Sequence, residues 1–97
     1  MFEWDEKKRQ LTLEKHEIDF DDVVEIFFAD HLVLPGRSEI EERKRAIAPV
    51  GGRMICVIYT YRDEAIRIIT ARVARKNERE QYQAIFARRD SGDERSN

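Results

Sequence analysis

The chain has 97 residues, of which 41% are hydrophobic and 39% charged, with 4 Gly, 2 Pro, 1 Cys and a net charge of −2. That size suits one domain, and the composition excludes collagen-like and low-complexity chains and argues against global disorder. The lone Cys56 excludes a disulfide framework and a cysteine-based zinc site, and the longest apolar run, Met54–Tyr59, is far too short for a membrane span.

Charge is unevenly spread. Residues 1–30 hold 10 acidic and 4 basic groups, whereas residues 31–61 and 62–80 each carry a net +2. An acidic first third joined to a basic remainder suits a chain with one surface for an anion and another for a basic partner. Residues 1–6 show neither a basic leader nor an apolar stretch, so the expected location is the cytoplasm. The expected organisation is one domain over residues 1–87 and a polar, flexible tail over 88–97.

In chain order, residues 5–16 are good helix formers with Asp5 as cap. Only Trp4, Leu11 and Leu13 are apolar there, so this helix belongs on the surface. Lys8, Thr12 and Lys15 share one face by their spacing, and His16 closes the last turn. Next, Phe20, Val23, Val24, Phe27 and Phe28 fall at i, i+3, i+4, i+7 and i+8, the stripe of a core helix capped by Asp19. His31–Leu34, stopped by Pro35 and Gly36, reads as an edge strand or a strand-like loop. Ser38 to Glu41 fits a capping box, and local propensity over residues 39–46 favours helix.

The period then changes. Ala46–Val50 and Arg53–Tyr61 flank Gly51 and Gly52, a pair suited to a tight hairpin. Both alternating sets of Met54–Tyr61 are largely apolar, which predicts a central strand covered on both faces. Asp63 and Glu64 turn the chain into Ala65–Val73. A last helix begins near Ala74 or Arg75, with Tyr82, Ile85 and Phe86 on one side. The expected class is α+β: two N-terminal helices, an antiparallel meander and a C-terminal helix.

No metal-ligand spacing, phosphate-binding glycine loop or nucleophile elbow is visible. Cys56 sits in an apolar strand, where a buried inert thiol is the ordinary outcome. What remains is a set of basic and carboxylate groups: Lys15 and His16, Glu42 and Arg43, Arg62, Arg67, Arg72, and Arg75 through Tyr82. Arg67 and Arg72 interrupt an otherwise core-like strand, and a half-buried Arg must be paired or face a cleft. Such residues could cleave RNA without a metal, with a base on the 2′-OH, an acid on the leaving oxygen and arginines on the phosphate. A structural ion-pair network accounts for them more simply, and spacing alone favours it.

Several runs nevertheless resemble a known family. Phe2-Glu3-Trp4-Asp5-x-x-Lys8-x(6)-Lys15-His16-x-Ile18-x-Phe20 looks like the N-terminal signature of BrnT-type toxins. Gly52-Arg53, Tyr59-Thr60-x-Arg62, Ile66-Arg67-Ile68-Ile69-Thr70-Ala71-Arg72 and Glu78-Arg79-x-x-Tyr82 follow in the right order. The resemblance covers about residues 2–82. It departs where the family pattern has Asn at Thr12, Gly at Glu17, Ser at Thr70 and a Gly near Ala48 and Pro49. Glu17 matters most, because Gly there suits a left-handed cap that Glu adopts only with strain.

The resemblance implies a RelE-like fold and a metal-independent endoribonuclease of a type II toxin–antitoxin module, acting through 2′-OH attack and using no cofactor. It further implies a BrnA-type ribbon-helix-helix antitoxin, with operator DNA met only through that partner, and no membrane association. By resemblance the segment at Glu42 and Arg43 is a strand, against its local helix propensity. Carried over by position, Arg62, Arg67 and Arg72 lie on or near the sheet face that meets RNA. Lys15 and His16 close its rim on one side, and Glu78, Arg79 and Tyr82 on the other. His16 or Glu42 is the candidate for proton transfer, and Arg72 and Arg79 for phosphate stabilisation. The alternative is a non-catalytic protein-binding module that acts with a DNA-binding antitoxin in operon autoregulation, and the net negative charge counts toward it.

Overall fold

The computed structural model describes the backbone of residues 1–95 and the side chains of residues 1–86. It is an α+β domain in which a five-stranded mixed sheet carries helices on two sides. The chain runs β1 (Phe2–Trp4), α1 (Glu6–His16), α2 (Phe20–Val23), a 3-10 helix (Val24–Phe28), β2 (Leu32–Pro35), β3 (Lys44–Val50), β4 (Arg53–Arg62), β5 (Ala65–Val73) and α3 (Lys76–Arg95). The strand order is β1-β5-β4-β3-β2, so β4 is central, as its two apolar faces require.

Strands β2 to β5 form the expected antiparallel meander. Two tight turns set its register. Gly51 and Gly52 both take positive φ (58° and 83°), the conformation a two-residue hairpin turn needs. Asp63 and Glu64 take the same conformation (50° and 69°) without glycine's freedom. The expectation of a purely antiparallel sheet is corrected at one edge, where β1 pairs in parallel with Ile66–Ile68 of β5. Three residues are too few to show a period. Their strand is held by aromatic packing: Phe2 lies tilted against Phe27 (5.5 Å) and Trp4 meets Phe20 edge to face (5.9 Å).

Two further expectations change. The single helix from Phe20 to Phe28 splits after Val23, and its second half winds as 3-10. Tighter winding brings Ile26 into the core and turns Phe28 out to 79% exposure. The segment read as helix by propensity and as strand by resemblance is neither at Glu42 and Arg43, since β3 begins only at Lys44. The Ser38 hydroxyl does accept from the amides of Ile40 and Glu41, both at 3.3 Å. No helix grows from that turn, because the residues after it pair with β4.

The larger core lies between the sheet and the N-terminal helices, with Phe20, Val23 and Ile26 against Ala46, Val57, Tyr59 and Ile68. The opposite face buries Ile47, Cys56 and Ala74, with Tyr82 of α3 packed against them. Tyr82 stacks on Phe86 at 4.7 Å, while Ile85 is 45% exposed. The α3 backbone runs into the segment expected as a flexible tail, whose side chains lie outside the described residues.

Helix α1 is fastened at both ends. The Asp5 carboxylate accepts from the amides of Lys7 (2.8 Å) and Lys8 (3.2 Å). Arg9 then reaches the Asp19 carboxylate, itself the cap of α2, at 2.8 and 3.1 Å. At the C-terminus, Glu17 occupies the left-handed cap (φ 56°), and Arg53 donates to its carbonyl at 2.7 Å. A non-glycine residue held there carries strain of about 1 kcal/mol. Glu17→Gly is therefore expected to raise unfolding stability by about 1 kcal/mol, read as a higher urea midpoint at unchanged m-value.

Candidate functional site

Glu78 is fully buried, and burial alone would push its carboxyl pKa up. Three donors outweigh that cost. Arg72 grips the carboxylate in a fork, Nη1 to Oε1 at 2.8 Å and Nη2 to Oε2 at 3.0 Å. The Arg75 amide donates at 2.8 Å, which closes the first turn of α3, and Arg45 Nη1 donates at 2.5 Å. Together they hold the carboxyl well below its usual value, at about 2. The Arg72 guanidinium is raised in turn by its bonds to Glu78. Beneath them the Cys56 thiol lies 3.7 Å from Glu78, and burial pushes its pKa up to about 12, so it is neutral and inert at pH 7.

Two guanidiniums on one carboxylate leave one positive charge. Arg45 spends Nε on the Pro35 carbonyl (2.9 Å), and Arg72 spends a second Nη1 contact on the Val73 carbonyl (3.4 Å). Among the described residues both keep N–H groups unspent, and both side chains are between a fifth and a quarter exposed. The cluster is therefore an internal ion-pair network with two partly exposed guanidiniums. Arg45 was missed by sequence reasoning, although its signal was present. It alternates with Ile47 in β3 and pairs with Ile58, which places it on the sheet face that carries Cys56 and Arg72.

The other expected residues distribute as follows. Arg67 lies on the same sheet face by register, opposite Thr60, and is paired with Glu3 at 3.3 Å. Arg62 is exposed at the far end of β4, beside the turn to β5. Arg79 is exposed, with Nη1 donating to the Ala74 carbonyl at 2.7 Å, and Tyr82 is half-buried against the core. Glu78, expected at the rim of an RNA surface, is corrected to a fully buried anchor: it reaches any ligand only through Arg45 and Arg72.

His16 and Glu42 do not share a site. Arg53, at the start of β4, donates to the His16 carbonyl at 3.4 Å, whereas Thr60, near its end, donates to the Glu42 carbonyl at 2.7 Å. The intervening stretch of strand puts them roughly 20 Å apart. Lys15 and His16 instead line a cleft of about 470 Å³ with Lys8, Leu11, Thr12, Glu14 and Thr70. Thr70 sits two residues before Arg72 in β5, on the same face by register. Helix α1 packs against β5, and the β1 pairing stops at Ile68, so the cleft opens beside the Arg72 end of that strand. A smaller hollow of about 270 Å³, lined by Glu17, Asp19, Asp22, Glu25 and Arg53 among others, is acidic. Among the described residues no group of three or more His, Cys, Asp or Glu is placed to hold a metal ion. No helix among them is long and apolar enough to cross a membrane.

Residues 4–78 match the family model described as ribonuclease toxin, BrnT, of type II toxin-antitoxin system. That span runs from the last residue of β1 into the first turn of α3, and so takes in the whole Arg45–Glu78–Arg72 cluster. No curated protein matches the chain.

The depressed carboxyl of Glu78 has a sign that can be measured. Its native value of about 2 lies below its ordinary 4.5, so folding favours the ionised form. The stability it contributes, about 3 kcal/mol, is complete above that ordinary value and is lost as pH falls through the native one. Glu78→Gln is expected to lose about 3 kcal/mol at pH 7 in urea unfolding. The gap between the two proteins should narrow below pH 4.5 and close near pH 2.

Proposed function

Because the chain belongs to the BrnT family of ribonuclease toxins of type II toxin–antitoxin systems, we propose that it is a RelE-like, metal-independent endoribonuclease whose phosphate site is built on Arg72. The observation that carries this reading is the pair of partly exposed guanidiniums locked onto the buried Glu78 carboxylate. A phosphoryl group gains negative charge in the transition state, and donors fixed beforehand stabilise it without reorganising. Arg72 is such a donor, and Arg45 stands beside it on the same carboxylate. Arg79, exposed at the start of α3, supplies a second cation from that side.

In the proposed reaction a base removes the proton of the 2′-OH, and the 2′ oxygen attacks the adjacent phosphorus. The P–O5′ bond breaks, and an acid returns a proton to the leaving 5′ oxygen. The products are a 2′,3′-cyclic phosphate and a 5′-OH, with atoms and charge balanced and no redox change. His16 is the better proton-transfer candidate, because its cleft opens beside the Arg72 end of β5, whereas Glu42 is exposed at the opposite end of the sheet. Lys15, Arg62 and Arg67 are proposed to guide the RNA across this face, with Tyr82 supporting it from α3.

The same reading supplies partners and place. A toxin of this type acts in the cytoplasm and is neutralised by an antitoxin, here proposed to be a BrnA-type ribbon-helix-helix protein. Operator DNA is met only through that antitoxin, as a chain with a net charge of −2 would need.

The test uses purified, antitoxin-free chain and a defined RNA in EDTA. Arg72→Lys keeps a cation against Glu78 but loses the fork, so it is expected to stay folded while cleaving about 100-fold more slowly. Arg79→Ala is expected to lose at least 10-fold. Full cleavage by both variants would remove the site from Arg72 and Arg79, and intact RNA with folded wild-type protein would remove the ribonuclease reading for free RNA.

A further inference from the structure

Beside the arginine cluster, the cleft between α1 and β5 lends His16 and Lys15 to the catalytic reading, and it has further features which that reading does not use. Its formal charge is positive, with Lys8 and Lys15 against Glu14 alone. Neither Lys8 nor Lys15 holds an ion pair among the described residues, although Arg9 of the same helix is fully engaged with Glu6, Asp19 and Asp21. Leu11 is 62% exposed within this lining, an apolar side chain offered to solvent between two cations. The volume of about 470 Å³ is in the range that seats a small organic ligand.

Geometry limits what fits. Lys8 and Lys15 are seven residues apart on α1, about 10 Å along the axis, and their spacing puts both on the face that carries Thr12. Two separated cations with an apolar side chain between them suit a short piece of single-stranded nucleic acid, whose phosphates bracket an apolar base or ribose. Thr70 links the cleft to Arg72 along β5, so a strand leaving the arginine cluster on this side enters it directly.

We propose that this cleft is a nucleotide subsite, in which Lys15 and Lys8 hold backbone phosphates on one side of the scissile one and Leu11 packs against the nucleoside between them. The subsite rests on the ribonuclease reading and deepens it. It makes the substrate a single-stranded RNA that extends past the reacting phosphate along α1. Lys8 and Leu11 are then binding residues that touch no reacting atom.

The test is binding of a fluorescein-labelled, fully 2′-O-methylated single-stranded RNA, which 2′-OH attack cannot cleave, followed by anisotropy over a range of salt. Lys8→Gln is compared with Lys7→Gln, the same charge change on the neighbouring residue, which does not line the cleft. Lys8→Gln is expected to weaken binding about 5-fold and to lower the salt slope by about 0.7, one phosphate contact on a single strand. Leu11→Ala is expected to weaken binding about 3-fold with the slope unchanged, and Lys7→Gln to stay within 2-fold of wild type. On cleavable RNA, Lys8→Gln and Leu11→Ala should raise KM and leave kcat in place.

Equal losses for Lys8→Gln and Lys7→Gln, or an unchanged Leu11→Ala, would overturn the subsite while cleavage by wild type keeps the ribonuclease reading. Loss of antitoxin binding with RNA affinity intact would overturn it too, by making the cleft a protein interface. Wild-type chain that is folded but neither binds nor cleaves RNA would remove both readings together.

Discussion

A carboxylate taken wholly out of water must be given cations, and Glu78 is given two. The arginines come from β3 and β5, while the carboxylate comes from the first turn of α3. One ionic centre thus ties three elements that are far apart in sequence, and it fixes where α3 begins. Removing the carboxylate would leave two guanidiniums facing each other without a counter-charge. The same centre that orients α3 also orients the cations, so the stability of that corner and its capacity to hold an anion share one cause.

The remainder of the molecule positions this centre. Arg9 and Asp19 join α1 to α2, aromatic contacts hold β1 on the edge of β5, and Arg53 secures the end of α1. Because β1 covers only the first part of β5, α1 lies beside the rest of that strand and forms a basic cleft with it. The candidate surface therefore runs from Arg45 and Arg72 to Thr70 and on to Lys15 and His16. Away from that surface, acids are paired internally: Asp19 with Arg9 and Glu41 with Arg43.

Much of the fold was legible in local pattern. The limits of β5, the glycine turn, both aspartate caps and the edge position of β2 follow from period and turn chemistry that act within a few residues. What was illegible depends on partners distant in sequence. Phe2–Trp4 is too short for a period, and its strand exists because aromatic rings from α2 and the 3-10 helix cover it. The Ser38 turn looks like a helix start, but pairing with β4 claims the residues after it. Glu78 resembles an exposed acid near a helix start, and nothing local shows that Arg45, 33 positions earlier, closes over it. For the site, the resemblance named Arg67 and Arg72, which β5 carries on one face, and Arg62, which lies at the far end of β4, while the two proton-transfer candidates lie at opposite ends of that strand.

In the proposed function this arginine face serves phosphoryl transfer by the RNA's own 2′-OH. The most direct measurement is mass-spectrometric identification of the ends left on a defined RNA by the purified chain. A 2′,3′-cyclic phosphate with a 5′-OH, and no product when the nucleotide at the cut carries 2′-H, is expected. Ends bearing 3′-OH and 5′-phosphate, or cleavage that survives the 2′-H substitution, would contradict it.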